Sequence, residues 1–374
     1  MLDRGPVAAG SSRPRAPEAR RATGPRRLSV PRIAVIGAIA TDHLMTFPGR
    51  FTDLLLPDRL DALSLSFLVD TFSIRRGGAA ANLSFGLGVL GGNPLLIGAA
   101  GHDMSDYGSW LQEHGVDTGG VRILTGLPTA RTVALTDEEE NRITSFHPGA
   151  MAESGSIELR GLTGPGTGVR LAVIAQGDPA AMTAHTRQCR DIGLPFAATP
   201  SAGPSSLTRS EARGLVDGAR WLFTDAREAA LLQEATGWRA PEILTRVGGW
   251  VTTLGADGVR IAVAGEPEQM VPAVPDADVR DPAGAGDAFR AGFLTGLGWG
   301  RGPVAAARLG CALAAASLAG VGPQDYEVRP RPLLTSLARA YGRPAAQEFS
   351  PALRLLDTSA HWSSSPHGPC RTAV

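Results

Sequence analysis

The sequence predicts an α/β fold: a mostly parallel central sheet with helices on both faces, plus a small β-sheet lid. Three observations point there. Short apolar runs recur along the chain, helical segments alternate with them, and two strand-like stretches interrupt the alternation. Strands that alternate with helices build a parallel sheet, and its strands read as continuous apolar runs because both faces are covered.

Residues 1–31 form an Arg/Pro/Ala/Gly leader with too little apolar content to fold, so disorder is expected there. The first strand is Ile33-Ala34-Val35-Ile36, ended by Gly37. Residues 80–90 carry a helix pattern, and 95–98 read as the next strand. Runs at 171–174, 196–198 and 221–224 repeat the apolar pattern, with helices expected over 182–191 and 227–234. Residues 43–76 and 125–147 break this rhythm and suit the lid, the second through strands at 129–135 and 142–146. Residues 250–254 and 259–263, joined by Gly255-Ala256-Asp257-Gly258, read as a hairpin. Two helices follow, from Ala285 and Pro303. From 329 to 374 the chain turns Pro/Arg-rich and then Ser/Pro/His-rich. A mobile tail is expected, with an apolar patch at 333–340 suited to a short helix. The folded domain is therefore placed at 32–328.

Composition excludes several chemistries. Formal net charge is zero, so no long-range field draws nucleic acid or an anionic membrane. Every basic residue is arginine; without lysine, a Walker-type Gly-Lys-Ser/Thr loop and a Schiff-base mechanism are both ruled out. Cys189, Cys311 and Cys370 show no metal or redox spacing, and Cys311 reads as a buried small residue. No apolar run is long enough for a membrane span. The first thirty residues hold seven arginines and no apolar signal region, so a cytoplasmic location is expected. Gly86-Leu87-Gly88-Val89-Leu90-Gly91 matches a dinucleotide fingerprint in letters only, because it ends a helix pattern instead of opening one.

The segment Asp281-Pro282-Ala283-Gly284-Ala285-Gly286-Asp287-Ala288-Phe289-Arg290 carries the chemistry. Small residues run straight into a helix, so the N–H groups of Gly284, Ala285 and Gly286 can converge at its N-terminus. Unpaired donors and the macrodipole make an anion site there. Asp287, in the first turn, stands where a carboxylate can take the proton of a hydroxyl attacking phosphorus. Asp42, shortly after the first strand, suits a pair of ribose hydroxyls, or reads as a solvated loop residue. Asp225 and Glu228 follow the 221–224 strand and read equally as a phosphate-side pair or as an acidic first turn of a helix. Arg290 reads first as a salt-bridge residue.

The Gly-Ala-Gly-Asp segment, continued by Ala-Phe-Arg-Ala-Gly-Phe-Leu, closely resembles the C-terminal signature of the ribokinase (PfkB-type) sugar and nucleoside kinases. The resemblance spans about residues 32–328, and residues 37–51 and 64–70 most resemble the adenosine kinases of actinobacteria. It implies a ribokinase-like fold, ATP and Mg2+ as cofactors, and adenosine converted to AMP, a purine-salvage reaction. Asp287 would act as base, with Gly284, Ala285 and Gly286 as the anion hole. Asp42, Ser66, Gly77, Gly78, Asn82 and Phe146 would face the substrate. Asp225, Glu228, Thr253, Gly255 and Gly258 would face the nucleotide, and Glu228 the magnesium. The family also implies a monovalent cation such as K+ near Asp281 and residues 322–325, and a homodimer through lid edges.

The chain departs from that pattern mostly on the acceptor side. Thr132 stands where a second purine-stacking ring is expected, and Thr199 where Asp is expected. Ala202-Gly203 replaces a Gln pair, Ala38 a hydroxyl residue, and Asp225 an Asn. These changes leave two further readings open: a kinase for another sugar, and a weakly active or non-catalytic ligand-binding protein on this fold.

Overall fold

The computed structural model describes residues 31–55, 64–200 and 207–359. The expected leader up to Pro31, residues 202 and 203, Cys370 and the last part of the tail lie outside them. In chain order the described strands are β1 (Arg32–Ile36), β2 (Ala40–Thr46), β3 (Thr71–Gly77), β4 (Leu95–Gly101), β5 (Asp117–Leu124), β6 (Ala130–Thr136) and β7 (Arg142–His147). They continue as β8 (Val169–Ile174), β9 (Phe196–Ala198), β10 (Trp221–Asp225), β11 (Trp250–Thr253), β12 (Val259–Ala262) and β13 (Gln269–Val271). The main sheet runs β13-β12-β11-β10-β9-β8-β1-β4-β5, and the small one runs β3-β2-β6-β7. All main-sheet pairings are parallel except β11/β12 and β12/β13. The α/β fold with a separate small sheet is thus observed, and the expected hairpin at 250–263 is β11/β12.

Alternation along each strand feeds two apolar layers. Ile33 and Val35 of β1 join Leu96, Val173, Phe223 and Val251 on one face, beneath the helices Ala79–Val89, Ala285–Gly298 and Pro303–Leu318. Ala34 and Ile36 join Ile97, Ala172, Ile174 and Leu222 on the other, beneath Pro179–Asp191, Arg209–Val216 and Ala226–Thr236. Side chains of successive strand residues point to opposite faces, so one apolar run supplies both layers. Gly86, Leu87 and Gly88 lie inside the buried Ala79–Val89 helix, in keeping with helix packing and not a dinucleotide loop. Cys189 and Cys311 are buried, and burial pushes their thiols up to about 12 and about 11, which suits inert packing residues.

The strand order reverses between β8 and β1. From β1 the sheet grows outward through β4 and β5; from β8 it grows the other way through β9, β10 and β11. The loops leaving β1 and β8 begin at this switch point, a place where open α/β sheets accept ligands. The Ala38 N–H donates to Gln176 O at 2.9 Å across it.

Two expectations need correction. The chain past 328 is not a mobile tail over its described part: Pro330–Ser359 is helical, with a break at Gly342 (φ 84°). Leu333, Leu337, Phe349 and Leu353 are buried in the first apolar layer. The short helix expected at 333–340 is the first part of this segment; Arg and Pro content hid the apolar positions beyond it, and burial in the first apolar layer holds both parts. The lid starts earlier than residue 43, because β2 begins at Ala40 and carries Asp42 on a strand instead of a loop. The edge strand β5 and the helix Ser105–Glu113 were not anticipated. β5 (DTGGVRIL) is half-exposed and mixes polar with apolar residues, so it shows neither a solid run nor clean alternation. Among the described residues no helix is long and apolar enough to cross a membrane.

Candidate active site

The helix Ala285–Gly298 opens at Gly284, which sits in the left-handed region at φ 79° as its N-cap. Only glycine takes that conformation cheaply, and a Cβ there would collide with Pro323. The local turn is closed by Ala285 N–H to Pro282 O at 3.3 Å and Ala288 N–H to Gly284 O at 2.9 Å. Of the three expected anion-hole amides, that of Ala285 is therefore tied back in a long bond. The first N–H groups of a helix have no intrahelical acceptor, so the start at Gly284 still offers donors.

Asp287 lies in this first turn with its side chain 13% exposed. Arg290 Nη1 donates to its Oδ1 at 2.9 Å, and Asn82 Nδ2 donates to its Oδ2 at 3.2 Å. Burial raises the carboxyl above its ordinary value, while the guanidinium and the two hydrogen bonds pull it back. The salt-bridge reading of Arg290 is what is seen, but its partners are two sequence-predicted site residues: Arg290 Nη2 also lies 3.8 Å from Glu228 Oε2.

Asn82 belongs to the helix Ala79–Val89, entered through Gly78 at φ 93°. Its Oδ1 accepts from Gln324 Nε2 at 3.0 Å. That amide nitrogen also donates to the Tyr107 hydroxyl at 2.6 Å, which in turn donates to Gly77 O at 2.8 Å. Gln324 and Tyr107 were not singled out from sequence. They are distant in the chain from Asn82, and a lone Gln or Tyr has no local signature.

Asp225 and Glu228 form a reciprocal capping box at the start of Ala226–Thr236: Glu228 N–H donates to Asp225 Oδ1 at 2.6 Å, and Asp225 N–H to Glu228 Oε2 at 2.8 Å. The helix-start reading of the pair is realised. It also sets both carboxylates at the carboxyl end of β10, where Asp225 is the register partner of Thr253 on β11. Gly255 and Gly258 bracket the turn from β11 into β12. Among the described residues no group of three or more Asp, Glu, His or Cys side chains gathers to hold a metal. An isolated acidic pair suits an ion that keeps waters and arrives with phosphates, as magnesium does.

The lid contributes Asp42. Arg75, Asp42, Thr132 and Phe146 are register partners across β3, β2, β6 and β7, so all four share one face. Gly77 leaves room for Asp42: a Cβ there would stand 2.6 Å from Oδ2. Phe146 is 52% exposed on that face, and Ser66 is exposed in the irregular stretch before β3. Thr199 is buried and its hydroxyl turns back to Ile174 O at 3.3 Å. Asp281 is already engaged, accepting from Arg75 Nη1 at 2.6 Å through Oδ2 and from Ala283 N–H at 2.9 Å through Oδ1. Both oxygens of Asp281 are thus engaged within the protein.

Comparison with known proteins identifies the family. The family model described as pfkB family carbohydrate kinase matches residues 33–328. A nucleoside kinase of Methanocaldococcus jannaschii is 24% identical over 271 residues, covering 71% of this chain and 82% of that protein. The Burkholderia thailandensis nucleoside kinase, solved with inosine, is 32% identical with a TM-score of 0.71, covering 83% of this chain and 98% of that one. The same enzyme solved with ADP-inosine gives a TM-score of 0.69. The chain belongs to the PfkB family of carbohydrate kinases and is an ATP-dependent phosphotransferase.

Proposed function

We propose that this chain transfers the γ-phosphoryl group of ATP to the 5′-hydroxyl of a ribonucleoside, adenosine first among them. One observation carries the reading: a largely buried carboxylate, Asp287, stands in the first turn of a helix behind a left-handed glycine, and the Asn82 amide donates to it. Asp287 is the base that takes the 5′-hydroxyl proton as the oxygen attacks phosphorus. The amides at Gly284–Gly286 stabilise the transferring phosphoryl oxygens. Asp42 and Asn82, with the Gly77-Gly78 turn, hold the ribose, and Phe146 covers the base. Thr253, Gly255 and Gly258 meet the nucleotide. Glu228 would help hold a magnesium ion, with Asp225 beside it on the nucleotide side; bound, the ion would neutralise phosphate charge.

The nucleoside kinase relatives support a nucleoside acceptor, and the inosine complex of the Burkholderia enzyme keeps purines other than adenosine in the panel. Thr132 opposite Phe146, and Thr199 with its hydroxyl turned inward, favour relaxed base recognition as the second reading. The face of the lid opposite Asp42 leaves Phe72, Ile74 and Ile143 exposed, which supports a homodimer through that sheet. A cytoplasmic location is part of the same proposal.

The test is ADP release with ATP and magnesium across adenosine, inosine, other ribonucleosides, ribose and fructose. Turnover with a ribonucleoside, lost in Asp287→Asn, is expected. Turnover only with a free sugar would replace the acceptor. Binding of nucleoside without turnover would make the chain a non-catalytic ligand binder.

A further inference from the structure

The buried hydrogen bonds beside Asp287 run in one direction, and the direction is set at the far end. Gly77 O is a backbone carbonyl and can only accept, so the Tyr107 hydroxyl spends its single proton there. Its oxygen then accepts from Gln324 Nε2, and the second proton on that nitrogen goes to Asn82 Oδ1. With Oδ1 so engaged, Asn82 turns its Nδ2 to Asp287 and donates to Oδ2. Inverting Asn82 would set two donors against each other at Gln324 and two acceptors against each other at Asp287. Gln324 is 5% exposed and Asn82 8% exposed, so water does not substitute for either contact.

We propose that Gln324 is a positioning residue for the base: through Asn82 it fixes Asp287 Oδ2 as a hydrogen-bond acceptor, and through Tyr107 it ties that setting to the Gly77-Gly78 sugar turn. The inference rests on Asp287 being the base. A protonated Oδ2 finds no acceptor at Asn82, so the chain favours the form that can take a proton. Gly77 lies beside Asp42, so the sugar turn and the base share one rigid link from lid hinge to catalytic helix. The charged and titratable groups around Asp287 are Arg290 on its own helix and Glu228 beyond it. Tyr107 and Tyr326 are buried near it, and burial keeps both hydroxyls protonated; Asp42 lies on the lid side. None of these supplies Oδ2 with the donor that Asn82 does.

The experiment is kcat and KM against pH for the full chain and for Gln324→Met, Gln324→Glu and Tyr107→Phe, with Asp287→Asn alongside. Loss of the donor raises the pH at which the base ionises. The acidic limb of kcat is therefore expected to move up by about one pH unit in Gln324→Met, and by less in Tyr107→Phe, with KM for ATP unchanged. Gln324→Glu matches the wild-type shape but has at most one proton to donate, so it is expected to lose at least as much as Gln324→Met. A packing role predicts the reverse: the isosteric Glu mild, Met severe, and kcat reduced by one factor at every pH. That pattern, or an unmoved acidic limb, overturns the inference. If Gln324→Met fails to fold by circular dichroism, the limb in Tyr107→Phe decides. Turnover retained in Asp287→Asn would instead remove the base itself, a separate failure.

Discussion

The floor of the site and its lid are held by different means. On the floor, Asp287 is gripped by Arg290 and Asn82, Asn82 by Gln324, and Gln324 by Tyr107, all on helices and loops packed over the first apolar layer. On the lid, Phe146 is half exposed, and β7 is exposed at every residue. A preset floor spends little on ordering its groups when the reaction occurs, whereas the lid orders around whatever it covers. The departures from the family pattern follow this division. On the proposed function, Ala38, Thr132 and Thr199 fall on the acceptor side. Asp225, on the nucleotide side, is absorbed as a helix N-cap. On the proposed function, phosphoryl transfer is then the specified part and acceptor choice the adjustable one.

The comparison is sharpened by substitutions on each side. Asp287→Asn should lower kcat by about a thousand-fold while the nucleoside dissociation constant, read by calorimetry, stays within about two-fold. Retained turnover would break the floor's assigned role. Gly284→Ala next forces a side chain into the left-handed region against Pro323. A kcat loss of about a hundred-fold with a lower Tm is expected, from strain on the order of 1–3 kcal/mol. Arg290→Gln removes the cation beside a carboxyl that burial already raises. The base is then ionised only at higher pH, so the acidic limb of kcat should move up by about one unit, measurable in a pH–rate profile.

The lid should answer differently, in binding and not in kcat. Thr132→Phe sets a second ring beside Phe146 on the same face of the lid. Stacking of about 1 kcal/mol should tighten adenosine roughly five-fold, and an unchanged dissociation constant would reject the shared-face reading. The smallest effect is expected from Asp225→Asn. Asn caps a helix as well as Asp, so Tm should hold, while one fewer negative charge near the phosphates lowers KM for ATP a few-fold.

The sequence by itself determined the sheet and the reaction class. Strands such as 33–36 and 171–174 are buried on both faces, so their apolar runs are visible without context. The helix start from Gly284 to Asp287 was legible because glycine cap and carboxylate lie within one helical turn, and local spacing fixes local geometry. Of the helix at 330–359 only the patch at 333–340 was legible; the rest stayed hidden because its apolar positions are spaced among Arg and Pro, and burial against the first apolar layer stabilises it. The links from Gly77 through Tyr107 and Gln324 to Asn82 join four separate elements. No sequence interval encodes them: hydrogen-bond direction between residues far apart in the chain exists only once the tertiary structure excludes water and brings the groups together.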